Sequence, residues 1–517
     1  MPSSRRLTIA EKRAIVQDAI HGSIMITNAE YITLQTPFMR RLHGIKQLGF
    51  SYLVFPSATH SRLSHSIGVM HIASKMADSL LSRLEPRECR EILGKCGESE
   101  KTAFRTLARM AGLIHDVGHY PYSHMFENAV EHLMKRGDIE WEASPAGYGR
   151  LKPHEEAGYI FAREMARIAG EDLGEEELAL VISAAAKTVF ARSPEKEYQE
   201  LGLAGHAWHI VRDIISHDVV DADRLDYLRR DAWFTGVVYG YTDLERVYEG
   251  INIGLAGRPK IVYDRKSYQS IEDVFDSRYK MYRSVYYHHK VMSLSYSMKR
   301  LISYVREEWS SIAPERFEGV GFDDLIQPER LAKMVAEGEL YFDDTDFDDI
   351  IRNILARGSR EARRWARCFT HERHLLPISL VKRQDEIVGA IEEVLGSGGS
   401  VHERLSNVSR AMSMFIDSNI LLSEFGERIR REASVLAGVS YSDVEFDAEV
   451  AFTSGSEGGF DTIYIRILDE LSSIPIVVPF IYSEDPEAHE KLYRRRREIR
   501  KAFRDIVSRS RVWSAIR

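Results

Sequence analysis

Two imidazoles and two carboxylates stand out in this chain: His65 in HSRLSHSIGV, the adjacent pair His115-Asp116 in LIHDVGH, and Asp223 in VVDADRLDY. Two nitrogen and two oxygen donors from separate segments can close around one divalent cation and still leave positions open; manganese, iron, magnesium, cobalt and zinc all suit such a set. The matching chemistry is metal-dependent hydrolysis, in which the cation acidifies water and polarises the bond to be cut. The adjacent pair carries the most weight. It follows the apolar run MAGLI, and burying both groups without a partner costs several kcal/mol. A cation compensates by holding the imidazole neutral and the carboxylate ionised.

Further groups with acid–base capacity crowd the same text. His119 lies one turn beyond His115 if that helix continues, although Gly118 and Pro121 favour an earlier end. His124 follows in PYSHMFE and His154 in KPHEEAGY. Imidazoles titrating near neutrality suit the positioning of water and the protonation of a leaving oxygen, and Glu127 is placed to orient one of them. Asp223, Tyr227 and Asp231 fall at four-residue steps and share one helix face. With Arg224 they form a sensible wall for a sugar and its phosphates. The plainer account of this stretch is a helix laced by ion pairs such as Asp226 with Arg230.

The elements that must position these residues read as helices. HSIGVMHIASKMADSLLSRL and TAFRTLARMAGLIHD carry apolar residues at three- and four-residue spacing, and RLDYLRRDAWF and YKMYRSVYYHHKVMSLSYSMKRLISYVREEW follow the same pattern. INIGLAGRPKIVYD reads as a hairpin. The acidic run LYFDDTDFDDII lacks calcium-loop spacing and reads as a helix start, with Asp or Thr as cap and carboxylates in the first turn. A GSGGS stretch beginning at Gly396 is the best linker. Beyond it, VEFDAEVAFTS, DTIYIRIL and IPIVVPFIY read as strands, and KLYRRRREIRKAFRDIV as a closing basic helix. That helix is expected to pack through Leu492, Ile499, Phe503 and Ile506 with its arginines in solvent; the alternative is a nucleic-acid patch.

Bulk properties exclude several classes. The 517 residues are 44% apolar and 29% charged, ordinary for a folded globular protein, and the formal charge of −8 does not fit a protein that coats nucleic acid. The three cysteines, Cys89, Cys96 and Cys368, show no CxxC and are expected as reduced thiols. With no secretory leader and no apolar run long enough to span a bilayer, a cytoplasmic protein without membrane attachment is expected.

Four segments together, KQLGFSYLVFPSATHSRLSHSIGV, GLIHDVGHYPYSHMFE, DVVDADRLDYLRRDAWFTGV and RYKMYRSVYYHHK, resemble the HD phosphohydrolase superfamily. More narrowly, they are similar to its deoxynucleoside-triphosphate triphosphohydrolase branch, over about Ile20 to Lys290. The resemblance implies a mostly α fold: an HD-domain helical core over 1–300, a helical extension over 301–396, and a small α+β C-terminal lobe over 402–517. It implies a divalent metal on His65, His115, Asp116 and Asp223, and release of inorganic triphosphate from a dNTP. His154 would be the general acid, paired with Glu127. His119 and His124 would meet the α-phosphate, and Arg62, Arg224 and Arg278 the phosphate tail. Gln47, Leu48, Tyr227 and Asp231 would frame sugar and base, with Tyr286 against a 2′-hydroxyl. Family members assemble as homo-oligomers, so an oligomer is expected.

The chain also departs from that pattern. Where the vertebrate branch reads an activating guanine nucleotide with Asp, Gln and Arg, Gln35, Arg40 and His43 stand here, so activation of that kind is not expected. Tyr287 replaces a glutamine near the sugar. The roughly forty residues ahead of the core are too few for a further domain. Two competing functions share the same donor set: a metal nuclease or phosphodiesterase on single strands, motivated by the basic C-terminal helix, and a nucleotide sensor without turnover.

Overall fold

The computed structural model describes residues 10–141, 152–382 apart from positions 191, 205, 256, 339 and 371, short pieces between 386 and 421, and residues 425–451 and 476–510. The GSGGS stretch and DTIYIRIL lie outside them. The chain is mostly helical, with small two- and three-stranded sheets, and divides into two compact units: Met1–Ser277 with Gly319–Asp348, and Arg278–Glu318 with Asp349–Arg517.

In the first unit, helix α1 (Arg62–Arg83) is central. Ser61 caps it, its Oγ accepting the Ser64 N–H. Buried residues run almost all round it, from Leu63 and Val69 to Met76 and Leu80, as expected of a helix enclosed by others. Truncating a side chain such as Ile72 to alanine would cost roughly 2–5 kcal/mol. Against α1 pack α2 (Glu98–Ile114), with Glu98 and Glu100 in its first turn, and, further along the chain, α5 (Ala222–Thr235). Two more helices frame the site. α3 (His124–Arg136) ends at Gly137, and α4 (Pro153–Arg167) opens on a proline, whose missing N–H costs nothing there. α5 is capped by Asp221, whose Oδ1 accepts the Arg224 N–H at 2.7 Å, and is stopped by Gly236 in the left-handed conformation.

Both strand pairs of this unit are antiparallel. The hairpin read in INIGLAGRPKIVYD forms, with Ile251 opposite Tyr263 and Gly254 opposite Lys260. A second hairpin, Lys12–Asp18 with Gly22–Thr27, was not expected from the sequence. Its first strand buries only Asp18 fully, so the apolar alternation that marks a strand is faint.

The second unit holds a long helix, His289–Glu307, and an antiparallel sheet in which Ile476–Tyr482 lies between Ile378–Ser379 and Glu445–Ala451. The helix expected to run unbroken through RYKMYRSVYYHHK does not. Tyr268–Met281 gives way to a wide turn at Tyr282–Tyr286, and His288 then leaves helical geometry to cap the next helix, its Nδ1 accepting the Lys290 N–H at 3.3 Å. The basic C-terminal segment is likewise two helices, Pro486–Arg494 and Arg496–Ser508. Leu492, Ile499 and Phe503 are buried as expected, Ile506 packs beside them, and Val507 joins them. Four arginines outside this face are engaged: Arg494 with Glu490, Arg495 with Glu498, Arg504 with Glu386, and Arg500 with the Ser379 carbonyl.

The expectation of three reduced thiols is corrected: Cys89 and Cys96 form a disulfide, and only Cys368 is free and buried. The helix Pro86–Leu93 stops at Gly94, whose φ of +86° turns the chain back so that the two cysteine Cα atoms lie 5.5 Å apart. No helix among the described residues is long and apolar enough to cross a membrane.

Candidate metal centre and the histidine cluster beside it

His65 projects from the first turn of α1, while His115 caps α2, which ends at Ile114. The helix therefore does not carry on to His119. The chain turns instead, with Val117 N–H on the Ile114 carbonyl and His119 N–H on that of Asp116. Gly118 permits the turn: a Cβ there would stand 2.1 Å from the His154 carbonyl oxygen and the Gly158 nitrogen of α4. The missing side chain lets the His115–His119 turn sit directly on the helix that carries His154.

The two proposed imidazole donors are oriented by their other nitrogens. His65 Nδ1 lies 2.8 Å from Asp226 Oδ2, and His115 Nδ1 donates to the Gly112 carbonyl at 2.8 Å. Both Nε2 atoms therefore face inward, the arrangement that metal-binding histidines adopt. His65 Nε2 is 3.0 Å from Asp223 Oδ1 and 3.6 Å from Asp116 Oδ2. His115 Nε2 is 3.4 Å from Asp116 Oδ1 and 3.6 Å from Asp223 Oδ1, and this buried atom makes no hydrogen bond among the described residues. His65, His115 and Asp116 each offer a ligand atom within 4.8 Å of the others, and Asp223 Oδ1 reaches both imidazoles.

The electrostatics mark this point as one that favours positive charge. Burial works against a charged His65, yet the Asp223 and Asp226 carboxylates outweigh it and push the ring up to about 10. His115 moves upward against burial for the same reason, through Asp116 and Asp223. Burial would raise Asp116 and Asp223, but the imidazoles, with Arg62 beside Asp116, hold both well below the usual carboxylate range. A divalent cation meets the same demand, and the orphaned His115 Nε2 fits it.

Beside this group a single carboxylate gathers three imidazoles. Glu127, 2% exposed, accepts from His119 Nδ1 at 2.5 Å and lies 3.0 Å from His124 Nδ1 and 2.9 Å from His154 Nδ1. The His154 approach is close but out of line for a hydrogen bond. His119 and His154 stack at 4.3 Å, and His119 Nε2 reaches Asp116 Oδ1 at 3.2 Å, which joins the two groups. Burial opposes the charge on Glu127, but the imidazoles hold it well below its ordinary value; Glu127 in turn raises His154 against burial.

The remaining sequence-derived candidates are placed as follows. Arg62 is buried, its Nη1 2.6 Å from Asp116 Oδ2 and its Nε donating to Ser123 Oγ at 3.0 Å. Gln47 and Leu48 follow the bridge between Lys46 and Ser61, directly before α1; the Gln47 N–H binds the His60 carbonyl, and its buried Oε1 has no partner among the described residues. Tyr227 is half-buried, one turn after Asp223. Asp231 is buried, with His60 Nε2 at 2.8 Å. Arg224 turns onto the backbone carbonyls of Asp218 and Val219. Arg278 and Tyr286 belong to the second unit, where the Arg278 guanidinium lies 5.1 Å from the centre of the Tyr282 ring and Tyr286 packs edge-on to it. On the exposed surface Arg40 donates to Gln35 at 2.6 Å.

Sequence reasoning missed the network behind His65. Asp226 was read as one half of a local ion pair with Arg230. That pair exists at 2.8 Å, but Asp226 also meets His21 Nε2 at 2.6 Å, and Arg230 reaches Asp18 at 2.8 Å. The signal within reach was an aspartate one turn after Asp223 with an arginine four residues on; its distant partners sit on the unexpected hairpin.

Comparisons with known proteins agree with this geometry. The HD domain family matches residues 62–231. An uncharacterized protein of Methanocaldococcus jannaschii is 31% identical over 289 residues, 56% of this chain and 49% of that protein. An uncharacterized protein of Bacillus subtilis is 29% identical over 356 residues, 66% and 70% of the two chains. The deoxynucleoside triphosphate triphosphohydrolase of Gallus gallus is 28% identical over 286 residues, 54% and 43%. Apart from the Bacillus protein, the chain spans about half the length of these curated relatives. A crystal structure of a hypothetical protein from Aquifex aeolicus shares the fold, with a TM-score of 0.55 at 22% identity, over 95% of this chain and 99% of that one. The HD family match begins at Arg62, ends at Asp231 and encloses the whole donor set, so residues 62–231 carry an HD domain.

Proposed function

We propose that this chain hydrolyses deoxynucleoside triphosphates to the deoxynucleoside and inorganic triphosphate, with a divalent metal held by His65, His115, Asp116 and Asp223. The observation that carries the reading is the pairing of that donor set with the three imidazoles on Glu127, 3.2 Å away through His119 and Asp116. The likeness to the Gallus gallus enzyme, whose name states this activity, supports it. When bound, the ion supplies Lewis acidity toward a phosphoryl oxygen and toward water.

The chain's own residues do the rest. Water attacks the α-phosphorus, a new P–O bond forms, and the bond to the 5′-oxygen breaks. His154, raised by Glu127, keeps a proton for that departing oxygen. His119 and His124 meet the α-phosphate, and Arg62 and Arg224 offset charge on the phosphate tail. Gln47, Leu48, Tyr227 and Asp231 frame the sugar and base, the unpartnered Gln47 Oε1 supporting this part of the reading. The same reading has a homo-oligomeric, cytoplasmic protein; the Cys89–Cys96 disulfide is the feature that pulls against a reducing compartment. Since the arginines of the basic helix are largely engaged within their own unit, that helix lends no support to a nuclease.

The test is product analysis over all dNTPs and NTPs with magnesium, manganese, iron and cobalt, with and without GTP. Triphosphate and nucleoside are expected, without mono- or diphosphate, and His115→Ala should abolish both. Absence of triphosphate with every nucleotide and metal would overturn the proposal. A labelled oligonucleotide shortened by the parent but not by His115→Ala would replace it with the nuclease.

A further inference from the structure

Three non-glycine residues among those described have positive φ: Tyr122 (55°), Ser123 (56°) and Phe342 (49°). Side chains with a Cβ resist this conformation, so it persists only where surrounding contacts enforce it. All three belong to one assembly. Tyr122 and Ser123 form the turn between His119 and α3, and Phe342 leads into the acidic run at the start of the helix Asp344–Arg357.

Within that run, helix capping is done by other residues. Asp343 Oδ1 accepts the N–H groups of Thr345 at 2.8 Å and Asp346 at 3.4 Å, and Asp346 Oδ2 accepts that of Asp343 at 2.9 Å. Asp344, 1% exposed, faces the other way. Its Oδ1 accepts the Tyr122 N–H at 2.6 Å; its Oδ2 accepts the Lys46 N–H at 3.0 Å and the Lys46 ammonium at 3.2 Å. One carboxylate thus ties two loops of the site. Lys46 precedes Gln47 and Leu48, and its carbonyl accepts the Ser123 hydroxyl at 2.8 Å. The same hydroxyl accepts Arg62 Nε, and Arg62 holds Asp116. The Ser123 carbonyl accepts the Glu127 N–H at 3.2 Å, so this turn also sets the start of the helix that carries Glu127.

We propose that Asp344 is a positioning residue of the active site, holding the Tyr122–Ser123 turn and Lys46 in the one arrangement that places Ser123 against Arg62 and Glu127 against its histidines. The consequence for turnover rests on the phosphohydrolase reading; the clamp itself does not.

The experiment compares Asp344→Asn, Asp344→Ala and, as a capping control, Asp346→Ala in the full chain. Amide hydrogen exchange is followed in peptides covering 43–50, 117–127 and 62–83, beside bound metal and steady-state kinetics. Asp344→Ala should accelerate exchange in both loop peptides at least about tenfold and leave 62–83 unchanged. The metal should stay bound while kcat falls roughly ten- to a hundredfold and KM moves far less, since small misplacements of reacting groups carry costs of this size. Asp344→Asn, near-isosteric and with one acceptor oxygen kept, should fall between, which covers the case of an alanine variant that does not fold. Asp346→Ala should match the parent in loop exchange and kcat. Unchanged exchange in the two loops overturns the clamp. Faster exchange with parental kcat, or a kcat loss that tracks loss of metal or recurs in Asp346→Ala, overturns the positioning role. A parent that hydrolyses no nucleotide fails the phosphohydrolase reading instead, and exchange alone then decides the clamp.

Discussion

The two groups at the centre of this protein use the same residue types in opposite proportion. Around His65 and His115 the carboxylates of Asp116, Asp223 and Asp226 outnumber the imidazoles, and even a buried ring is driven toward the charged form. Around Glu127 one carboxylate serves three imidazoles. The first composition suits a cation; the second suits the proton transfer proposed for it. Only Asp116, touched by His119, belongs to both.

If that contrast is right, the two groups fail differently. His115→Ala should remove bound metal and reduce turnover at least about a thousandfold, as measured by metal content and product release together. His154→Ala should lower kcat by about a hundredfold or more while metal content stays at the parental level; parental turnover would remove His154 as the acid. Asp226→Asn should leave every donor in place but weaken metal affinity about ten- to a hundredfold in a competition titration, because it no longer fixes the His65 ring.

A smaller effect separates support from chemistry. Burial raises Asp344 to about 6 from its ordinary 3.8, with Lys46 and two backbone N–H groups opposing the shift. Folding therefore favours its neutral form. The stability this group contributes is complete below pH 4 and is lost as pH rises through 6, a difference of about 3 kcal/mol. Denaturant melts of the parent and Asp344→Asn from pH 3.5 to 7 should diverge by about that amount, with the variant gaining relative to the parent at the upper end. Smallest of all for the chemistry, reducing the Cys89–Cys96 bridge should lower stability by about 2 kcal/mol, as for a short closed loop, and leave turnover and metal content untouched.

Much of the first group was legible because adjacent His and Asp after a buried helix have few other uses, and α1, α2 and α5 carry clear helical periodicity. What stayed hidden depended on partners far along the chain. Asp226 looked like half of an i,i+4 pair since Arg230 is indeed there; its bond to His21 spans 205 residues. Asp344 was expected at a helix start and is found at one, but the positive φ of Phe342 precedes it and its carboxylate faces the loops rather than the cap. The disulfide was invisible because two cysteines seven apart become neighbours only once Gly94 reverses the chain. The continuous aromatic helix failed for the opposite reason: apolar spacing persisted through Tyr282–His288 while the backbone broke.

The hairpin of Lys12–Asp18 and Gly22–Thr27 gives the catalytic region an unexpected N-terminal edge. Asp18 and His21 reach the buried Arg230–Asp226 pair that steadies His65. A fragment trimmed to residues 62–231, the reach of the family match, would keep all four candidate metal donors and strip two partners from charges that stay buried, a loss of the kind that costs roughly 3–5 kcal/mol. Expression boundaries, proteolytic nicks or fusion joints placed between residues 18 and 62 should therefore register at His65 and the carboxylates it faces, beyond the cut.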